Sequence, residues 1–281
     1  LNIFRMRPEH EIALFEVGIS QHGEMAKIAQ VLRPTSGTII GVGHAHLAGL
    51  GNIADVAAEK RDLFKFFKED NIGIINGDQV FLNVGYQHPV VRFGTKMINQ
   101  IQARKIKIGN GVITFVLKIY GQRYNITLSA PHTGFVTNAL AVAATAHLLN
   151  IPHNHIVWGI QKPLAIPGRF EHKKGRSGAI VIDDCYNANP ESMKAALLAF
   201  QGLKIPGKKI VVLGDMLELG EQSPFWHRQI GRFMRKISGV HKVILVGDLV
   251  RWVKRVAPVT FDIEMVPDWQ EAVKNLATIP S

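Results

Sequence analysis

Short apolar runs alternate with helical segments along most of this chain, and this alternation limits the folds that it can adopt. The runs lie at residues 12–15, 38–42 and 72–75. Buried strands that alternate with helices form a parallel sheet with helices packed on its faces. The sequence therefore predicts an α/β fold in which the polar residues that follow the strands meet at one edge of a sheet.

The pattern changes after residue 75. Residues 113–120 and 123–130 are two strand-like runs separated by Gly121 and Gln122. This spacing predicts a β-hairpin with a two-residue turn that starts in glycine. A helix of small residues is predicted from about Thr137 to Leu149.

A linker is predicted at residues 161–169, because Pro163, Pro167 and Gly168 interrupt both helix and sheet. A second α/β pattern follows, with strands at 180–182, 210–213 and 242–246. Asn189 and Pro190 form the N-cap and first turn of a helix that stops at Gly202. The length of 281 residues fits two domains, which we place at 1–165 and 166–281.

Composition excludes several classes of protein. The net charge of +11 is scattered, and its densest clusters, at 104–107, 172–176 and 208–209, contain no interleaved aromatics, so nucleic-acid binding is not predicted. A single cysteine, Cys185, excludes a disulfide framework and fits a reducing cytoplasm. No apolar run approaches the roughly 20 residues that span a bilayer. Residues 1–10 do not have the pattern of a secretory signal, so we expect a cytoplasmic protein without membrane insertion.

Ionisable residues follow the first two predicted strands. Glu16 could hold a magnesium ion beside phosphates, since Mg²⁺ prefers few protein oxygens plus substrate oxygens. A solvated glutamate at a strand end is the alternative. His44 and His46 lie two residues apart after the second strand, where they could act on one side of an extended segment. Packing or hydrogen bonding is the alternative for both.

A lysine interrupts the apolar stripe of the helix predicted at residues 53–68. Ile53, Ala57, Phe64 and Phe67 are spaced for one helix face, and Lys60 falls among them. Its methylene stem could cover the core while the ammonium reaches solvent. Alternatively, desolvation lowers the lysine pKa and leaves a neutral amine that can react with carbon dioxide to form a metal-binding carbamate.

The string at residues 183–190, Asp-Asp-Cys-Tyr-Asn-Ala-Asn-Pro, is dense in groups that bind hydroxyls, amines and ribose. Helix capping explains Asn189 but not the rest. Residues 202–208 match the start of a phosphate-binding P-loop. However, Lys209 stands where its Ser or Thr should be, and the segment precedes a strand, so we reject this match.

Taken in order, these motifs resemble the Mur ligase family. The motifs that carry the resemblance are Glu-Val-Gly at 16–18, His-Gly-Glu at 22–24, His-Leu-Ala-Gly-Leu-Gly at 46–51, Ala-Glu-Lys-Arg-Asp-Leu-Phe at 58–64, Pro-Gly-Arg at 167–169, the string at 183–190 and Gly-Asp-Met-Leu-Glu-Leu-Gly at 214–220. The last two are most similar to members that add D-alanyl-D-alanine.

The resemblance implies an ATP-dependent ligase of peptidoglycan precursor synthesis. Such an enzyme phosphorylates the terminal carboxylate of UDP-N-acetylmuramoyl tripeptide, and the amine of D-alanyl-D-alanine then attacks the acyl phosphate. The implied fold is a truncated mononucleotide-binding parallel-sheet central domain with a β-hairpin extension, followed by a Rossmann-like α/β C-terminal domain. We expect the protein to be a monomer.

Site residues follow from the resemblance position by position. Glu16, His46 and Lys60, the last as a carbamate, would hold two magnesium ions. Arg169 would contact the ATP phosphates and Asp184 the ribose, whereas Asn138 would lie near the adenine. The residues that would take part in catalysis are Lys60, His46 and Asn187, with Asn187 facing the reaction centre.

The sequence departs from the family pattern in four ways. The family's N-terminal domain, its P-loop and the last strands of its C-terminal domain are not in this sequence. Residues 132–137, just before Asn138, read His-Thr-Gly-Phe-Val-Thr. The family usually has His-Asn three and four residues ahead of the matching asparagine, whereas this chain has Phe135 there. We therefore expect an active full-length ligase but little or no turnover by this chain alone. The alternatives are a non-catalytic nucleotide-binding or scaffold module of the same fold, and a folylpolyglutamate-type ligase.

Overall fold

Three β-sheets organise the residues that the computed structural model describes, which are 2–109, 111–163, 166–175, 178–205 and 207–278. One sheet has six strands, one has three and one has two. Helices separate most of the parallel strands, so the predicted α/β class is confirmed. No helix among the described residues has both the length and the apolar character needed to cross a bilayer.

The six-stranded sheet, here called the N-terminal sheet, runs in sequence order from β1 to β6. Its strands are β1 (Ser36–Ile39), β2 (Ile72–Asn76), β3 (Val90–Gly94), β4 (Ile101–Gly109), β5 (Val112–Ile119) and β6 (Gln122–Ser129). The pairs from β1 to β4 are parallel, and the last two pairs are antiparallel. The carboxyl ends of β1, β2 and β3 therefore lie at one edge.

Five helices accompany the N-terminal sheet: α1 (Glu24–Leu32), α2 (Leu47–Leu50), α3 (Ile53–Arg61), α4 (Gly134–Leu148) and α5 (His153–Gln161). Helix α4 is rich in alanine and valine, and its buried side chains pack in one core with the strands. Small side chains let this helix lie close to the sheet. The predicted helix at 137–149 is thus confirmed, although it begins at Gly134.

The second half of the chain contains the other two sheets. Strands β7 (Glu171–Lys174) and β8 (Ile180–Asp183) pair antiparallel, whereas β9 (Ile210–Gly214), β10 (Lys242–Val246) and β11 (Asp262–Val266) form the parallel C-terminal sheet. Its helices are α6 (Pro190–Gly202), α7 (Ser223–Phe233), α8 (Arg251–Lys254) and α9 (Trp269–Ala277). Asn189 caps α6 in a reciprocal capping box with Ser192, as its position before Pro190 predicts.

One buried cluster joins the two halves. It contains Leu50 and Ile75 from the first half and Met216 and Leu245 from the second, and none of the four is exposed. Apolar burial of this kind is the main stabilising contribution to a fold. Because the core is shared, the loops after the strands of both parallel sheets are held in fixed relation to each other.

The prediction of a strand at residues 12–15 is wrong. The chain has no strand or helix at 12–19, and the side chains of Ile12 and Leu14 are 52% and 87% exposed. A strand requires a hydrogen-bonded partner. In the described residues β1 is the edge of the sheet and pairs only with β2, so residues 12–15 do not form a ladder with its open edge.

The strand predicted at 38–42 is shorter than expected. Strand β1 ends at Ile39, and three residues later the side-chain amide of Gln79 hydrogen-bonds the backbone of Val42. Gln79 accepts from the Val42 N–H at 2.6 Å and donates to the Val42 carbonyl at 3.1 Å. A side chain therefore makes the two backbone hydrogen bonds that a neighbouring strand would make at Val42.

Two other elements have boundaries in the structure that differ from the predicted ones. The predicted hairpin is confirmed, but Ile119 pairs with Gln122, so the turn residues are Tyr120 and Gly121. The helix predicted at 53–68 ends at Arg61 and continues as a 3-10 turn over Asp62–Phe64. In the predicted linker, residues 164 and 165 lie outside the described part of the chain.

Candidate active site

The loop that follows β1 forms the centre of the candidate site. The side chain of Lys60, on α3, reaches this loop and donates to the Gly41 carbonyl at 2.6 Å. Burial lowers the pKa of the Lys60 ammonium from its usual value. The ammonium thus ends on a backbone carbonyl at the carboxyl end of β1 and does not simply reach solvent.

His46 lies in the same loop and begins α2. Its backbone is left-handed, with φ of 61°, and its Nδ1 pairs with the carboxylate of Glu218 from the loop after β9. The backbone adds a second link, since the Ala48 N–H donates to the Glu218 carbonyl at 2.9 Å. A carboxylate on one ring nitrogen fixes the orientation of an imidazole and leaves Nε2 for a ligand.

His44 makes an equivalent contact with the second half of the chain. Its Nδ1 pairs with the carboxylate of Glu191, in the first turn of α6, and its ring contacts that of Trp226 at 4.1 Å between centroids, with a tilt of 49° between the two planes. The two histidines that the sequence singles out therefore both meet glutamates across the boundary between the sheets. Hydrogen bonding, the alternative for both residues, accounts for one nitrogen of each ring.

Glu191 and Glu218 are the site residues that sequence reasoning missed. They lie 147 and 172 positions from their histidine partners, so no local spacing reveals the pairs. One signal was available. Glu218 lies inside the Gly-Asp-Met-Leu-Glu-Leu-Gly motif, whose Gly220 approaches Ala48 so closely that a Cβ there would lie 3.1 Å from the Ala48 Cα.

A second group of residues surrounds the hinge segment 167–171. The Arg169 guanidinium lies over the ring of Tyr186 at 4.3 Å. The Tyr186 N–H donates to the Gly168 carbonyl at 3.2 Å, and the Phe170 N–H donates to Asp184 at 2.9 Å. The string at 183–190 therefore holds the hinge through its backbone, and it positions Arg169 by a cation–π contact.

Asp184 lies partly buried in this group. Burial raises the pKa of its carboxyl from the usual value, and the Phe170 N–H, His132 and Arg169 oppose the shift. Burial also lowers the pKa of His132, which the charge on Asp184 opposes. His132, Arg169 and Asp184 thus form one partly desolvated cluster, although they come from widely separated parts of the sequence.

The remaining predicted site residues lie outside these contacts. Glu16 and Asn138 are exposed, and Asn187 accepts from the N–H of Ala188 at 2.8 Å. Among the described residues, no three His, Cys, Asp or Glu side chains converge as a metal site would require. An ion bound here would therefore depend on substrate oxygens or on a modified lysine for part of its coordination.

Asp183 gives the hinge region a testable pH dependence. The Cys185 thiol, the Lys173 ammonium at 2.5 Å and the Cys185 N–H lower the pKa of Asp183 to about 2. A carboxyl with a lowered folded-state pKa contributes stability above its unfolded pKa and loses it as the pH falls through the folded value. The free energy of unfolding of the parent should therefore fall when the pH is lowered from about 5 to about 2.5. In Asp183→Asn we expect this fall to be smaller by about 1 kcal/mol, after allowance for solvent screening.

The measurement is urea unfolding at both pH values, with Asp70→Asn as the control. Asp70 is an exposed aspartate, so its substitution changes the same chemical group without a lysine or thiol partner. Equal acid sensitivity of the parent and Asp183→Asn would show that the contacts of Asp183 do not stabilise the fold.

Two family profiles together match most of the chain. Residues 1–146 match the profile of the Mur ligase middle domain, and residues 168–280 match that of the Mur ligase, glutamate ligase domain. The chain is 29% identical, over 96% of its length, to the UDP-N-acetylmuramoyl-tripeptide–D-alanyl-D-alanine ligase of Bacillus subtilis.

Solved structures show the same fold. A crystal structure of MurF from Acinetobacter baumannii superposes with a TM-score of 0.87 at 25% identity and covers 97% of this chain. A MurF ligase from Thermotoga maritima in complex with ADP superposes with a TM-score of 0.78 at 23% identity over 93% of the chain.

The chain spans only part of these proteins. It covers 59% of the Bacillus relative, 59% of the Acinetobacter structure and 60% of the Thermotoga structure. The comparisons do not favour the non-catalytic scaffold or the folylpolyglutamate-type ligase.

Proposed function

Since the chain belongs to the Mur ligase family, we propose that its full-length protein is an ATP-dependent ligase that joins D-alanyl-D-alanine to UDP-N-acetylmuramoyl tripeptide. The observation that carries this proposal is the convergence of the family motifs from both halves of the chain. His44 and His46 meet Glu191 and Glu218, and Lys60 contacts the same loop at the Gly41 carbonyl. The substrates follow from the name of the Bacillus relative, which aligns with 96% of this chain.

ATP is the proposed cosubstrate, and its site is the group of residues around the segment 167–171. Arg169 would contact the phosphates and Asp184 the ribose, with Asn138 near the adenine. The ADP complex of the Thermotoga ligase supports nucleotide binding in this fold. The contact of Arg169 with Tyr186 supports its role, because a guanidinium stacked on a ring is held in place before a phosphate arrives.

Lys60 is the residue that best fits a carbamate. Its lowered pKa favours the neutral amine, which is the form that reacts with carbon dioxide. The carbamate presents a negatively charged pair of oxygen atoms, whereas a protonated lysine presents a positive charge. Glu16, His46 and this carbamate would then hold two magnesium ions, which would neutralise negative charge on the phosphates.

The protein's own groups would mainly position the reactants. Glu218 holds the His46 ring so that Nε2 is available, and Lys60 lies beside the loop that carries His46. Asn187, just before the capped helix α6, would face the incoming dipeptide. Holding the amine and the acyl phosphate together is worth several orders of magnitude in rate. We place the boundary between the central and C-terminal domains at residues 165 and 166.

We expect the full-length protein to release phosphate from ATP only when UDP-N-acetylmuramoyl tripeptide, magnesium and D-alanyl-D-alanine are all present. The measurement is a coupled phosphate assay, with mass spectrometry to detect the ligated product. Omission of the dipeptide is the control, because the acyl phosphate then has no amine acceptor. A folded, ATP-binding protein that releases no phosphate in response to the dipeptide would contradict the proposal.

A further inference from the structure

Helices α7 and α8 present a surface of unusual charge, here called the basic face. Its basic side chains are Arg228, Arg232, Arg235, Lys236, Arg251, Lys254 and Arg255. Arg228 and Arg232 lie on α7, and Arg235 lies in the 3-10 turn Met234–Lys236 that directly follows it. They are spaced by four and three residues and so share one side of the helical segment. The sequence clusters noted above do not include these residues, because the face forms only when two separate segments pack together.

Gly231 brings the two helices into close contact. A Cβ at this position would lie 2.5 Å from the Val253 carbonyl oxygen and 2.7 Å from a methyl group of Val256, so only glycine fits there. Val253 is buried against α7, whereas its neighbours Arg251 and Arg255 are exposed. The close crossing therefore places the basic side chains of α8 beside those of α7.

The basic face has no acidic counterpart. In the described part of the chain, none of its seven side chains is within salt-bridge distance of a carboxylate. Asp248 is the sole acidic residue in the sequence from 223 to 261. Like charges held together without counter-charges destabilise a surface, so this arrangement favours a bound anionic partner.

Trp252 lies at the middle of the face. The guanidinium groups of Arg228, Arg251 and Arg255 lie 5.2, 5.6 and 5.6 Å from the centroid of its ring. The indole faces are therefore in contact with cations and are poorly placed to stack on a nucleic-acid base, which single-strand recognition requires. Tryptophan with arginine is instead typical of groups that lie at a lipid headgroup layer.

Exposed apolar side chains flank the charges. Phe225 precedes Arg228 by three residues on α7 and is 43% exposed, and Val259, in the turn after α8, is fully exposed. Phosphate contacts along a nucleic-acid backbone do not use such groups. An anionic bilayer uses both kinds, since lysine and arginine contact the headgroups while apolar side chains enter the interface.

We propose that the basic face docks this protein on anionic phospholipid membranes, as a peripheral contact without insertion of a helix. The contact uses no residue of the candidate active site and does not depend on the proposed function. Its charge alone predicts strong salt dependence, because surface attraction decays within a Debye length.

The test is co-sedimentation of the full-length protein with phosphatidylcholine vesicles that contain about 30% phosphatidylglycerol, at about 0.1 M salt. We expect binding to these vesicles and none to pure phosphatidylcholine. The variant Arg232→Glu/Arg255→Glu should bind at least roughly 30-fold more weakly, because each basic residue near the surface contributes about fivefold. About 0.5 M salt should abolish binding.

The matched control is Lys107→Glu/Arg123→Glu, which changes the net charge equally. Both residues are exposed strand positions on β4 and β6 of the N-terminal sheet, far from α7 in sequence. We expect this variant to bind within about twofold of the parent. We expect both variants to fold, because all four positions are exposed. Thermal unfolding of each variant is the check.

Three outcomes would overturn the proposal. The parent could fail to bind anionic vesicles, or the control variant could lose binding as strongly as the variant of the basic face. In the third, a duplex oligonucleotide binds more tightly than the vesicles at the same salt concentration and displaces the protein from them. That result would assign the basic face to nucleic acid instead.

Discussion

Replacement of Lys60 by alanine is expected to slow ligation by the full-length protein about 1000-fold, which is the scale of losing a preorganised charge at a reaction centre. The expectation rests on the proposed carbamate at this position. Binding of ATP should change little, because the contacts of Arg169 and Asp184 do not include Lys60. The loss should therefore appear in kcat.

The surroundings of Lys60 differ from those of the next lysine along the chain, Lys65. The Lys60 amine is held at 2.6 Å from the Gly41 carbonyl, next to the loop that carries His46. Burial lowers its pKa, whereas Lys65, five residues further along the chain, is exposed. Lys65→Ala is thus the matched control and should keep ligation within about twofold of the parent.

Chemical rescue separates a carbamate from a simple cation. A short carboxylic acid such as acetate supplies the oxygen pair that the carbamate would present, so it should restore part of the activity of Lys60→Ala. Lys60→Arg should stay inactive, because arginine keeps the charge and cannot form the carbamate. Activity of Lys60→Ala within tenfold of the parent would refute the catalytic role of this lysine.

Local patterns predicted much of the fold. The apolar run at 242–246 became β10 without a change of boundary, and the Asn189 and Pro190 pair marked the start of α6. The glycine at 121 located the hairpin to within one residue. These features depend on neighbours in the sequence, so they can be recognised without the tertiary structure.

Features that depend on distant partners could not be predicted in this way. Residues 12–15 have the composition of a strand, but no strand in the described residues pairs with them. Strand β4 was missed because Arg104, Lys105 and Lys107 interrupt its apolar residues, and a bulge between Arg104 and Lys107 shifts its register. Such a strand is specified by its position between β3 and β5.

The candidate site divides in the same way. Lys60 stood out because a lysine on an apolar stripe is unusual, and Asp184 because carboxylates cluster at a strand end. The partners of His44 and His46 are fixed only when the core shared by both sheets closes. The sequence also assigned no role to Glu59, which precedes Lys60 and is buried.

Replacement of Glu59 by alanine is expected to destabilise the chain by about 3–5 kcal/mol. Its side chain is only 5% exposed, and its two carboxylate oxygens accept from the backbone N–H groups of Gly23 and Met25 at 2.9 and 2.8 Å. These are orphan donors at the first turn of α1, where Gly23 offers no capping side chain. A carboxylate from α3 therefore caps α1 and also interacts favourably with its helix dipole.

Alanine would leave both N–H groups without a partner inside the protein, and the cost of unmade buried hydrogen bonds adds to the lost charge–dipole attraction. Glu59→Gln keeps one acceptor and should lose about half as much, which provides a second variant if the alanine variant fails to fold. The measurement is urea unfolding, with Glu69→Ala as the control, because Glu69 is exposed. Loss of less than about 1 kcal/mol in Glu59→Ala would mean that water caps α1 equally well. The larger loss would establish that α3, which carries Lys60, is fixed against α1 by the residue next to that lysine.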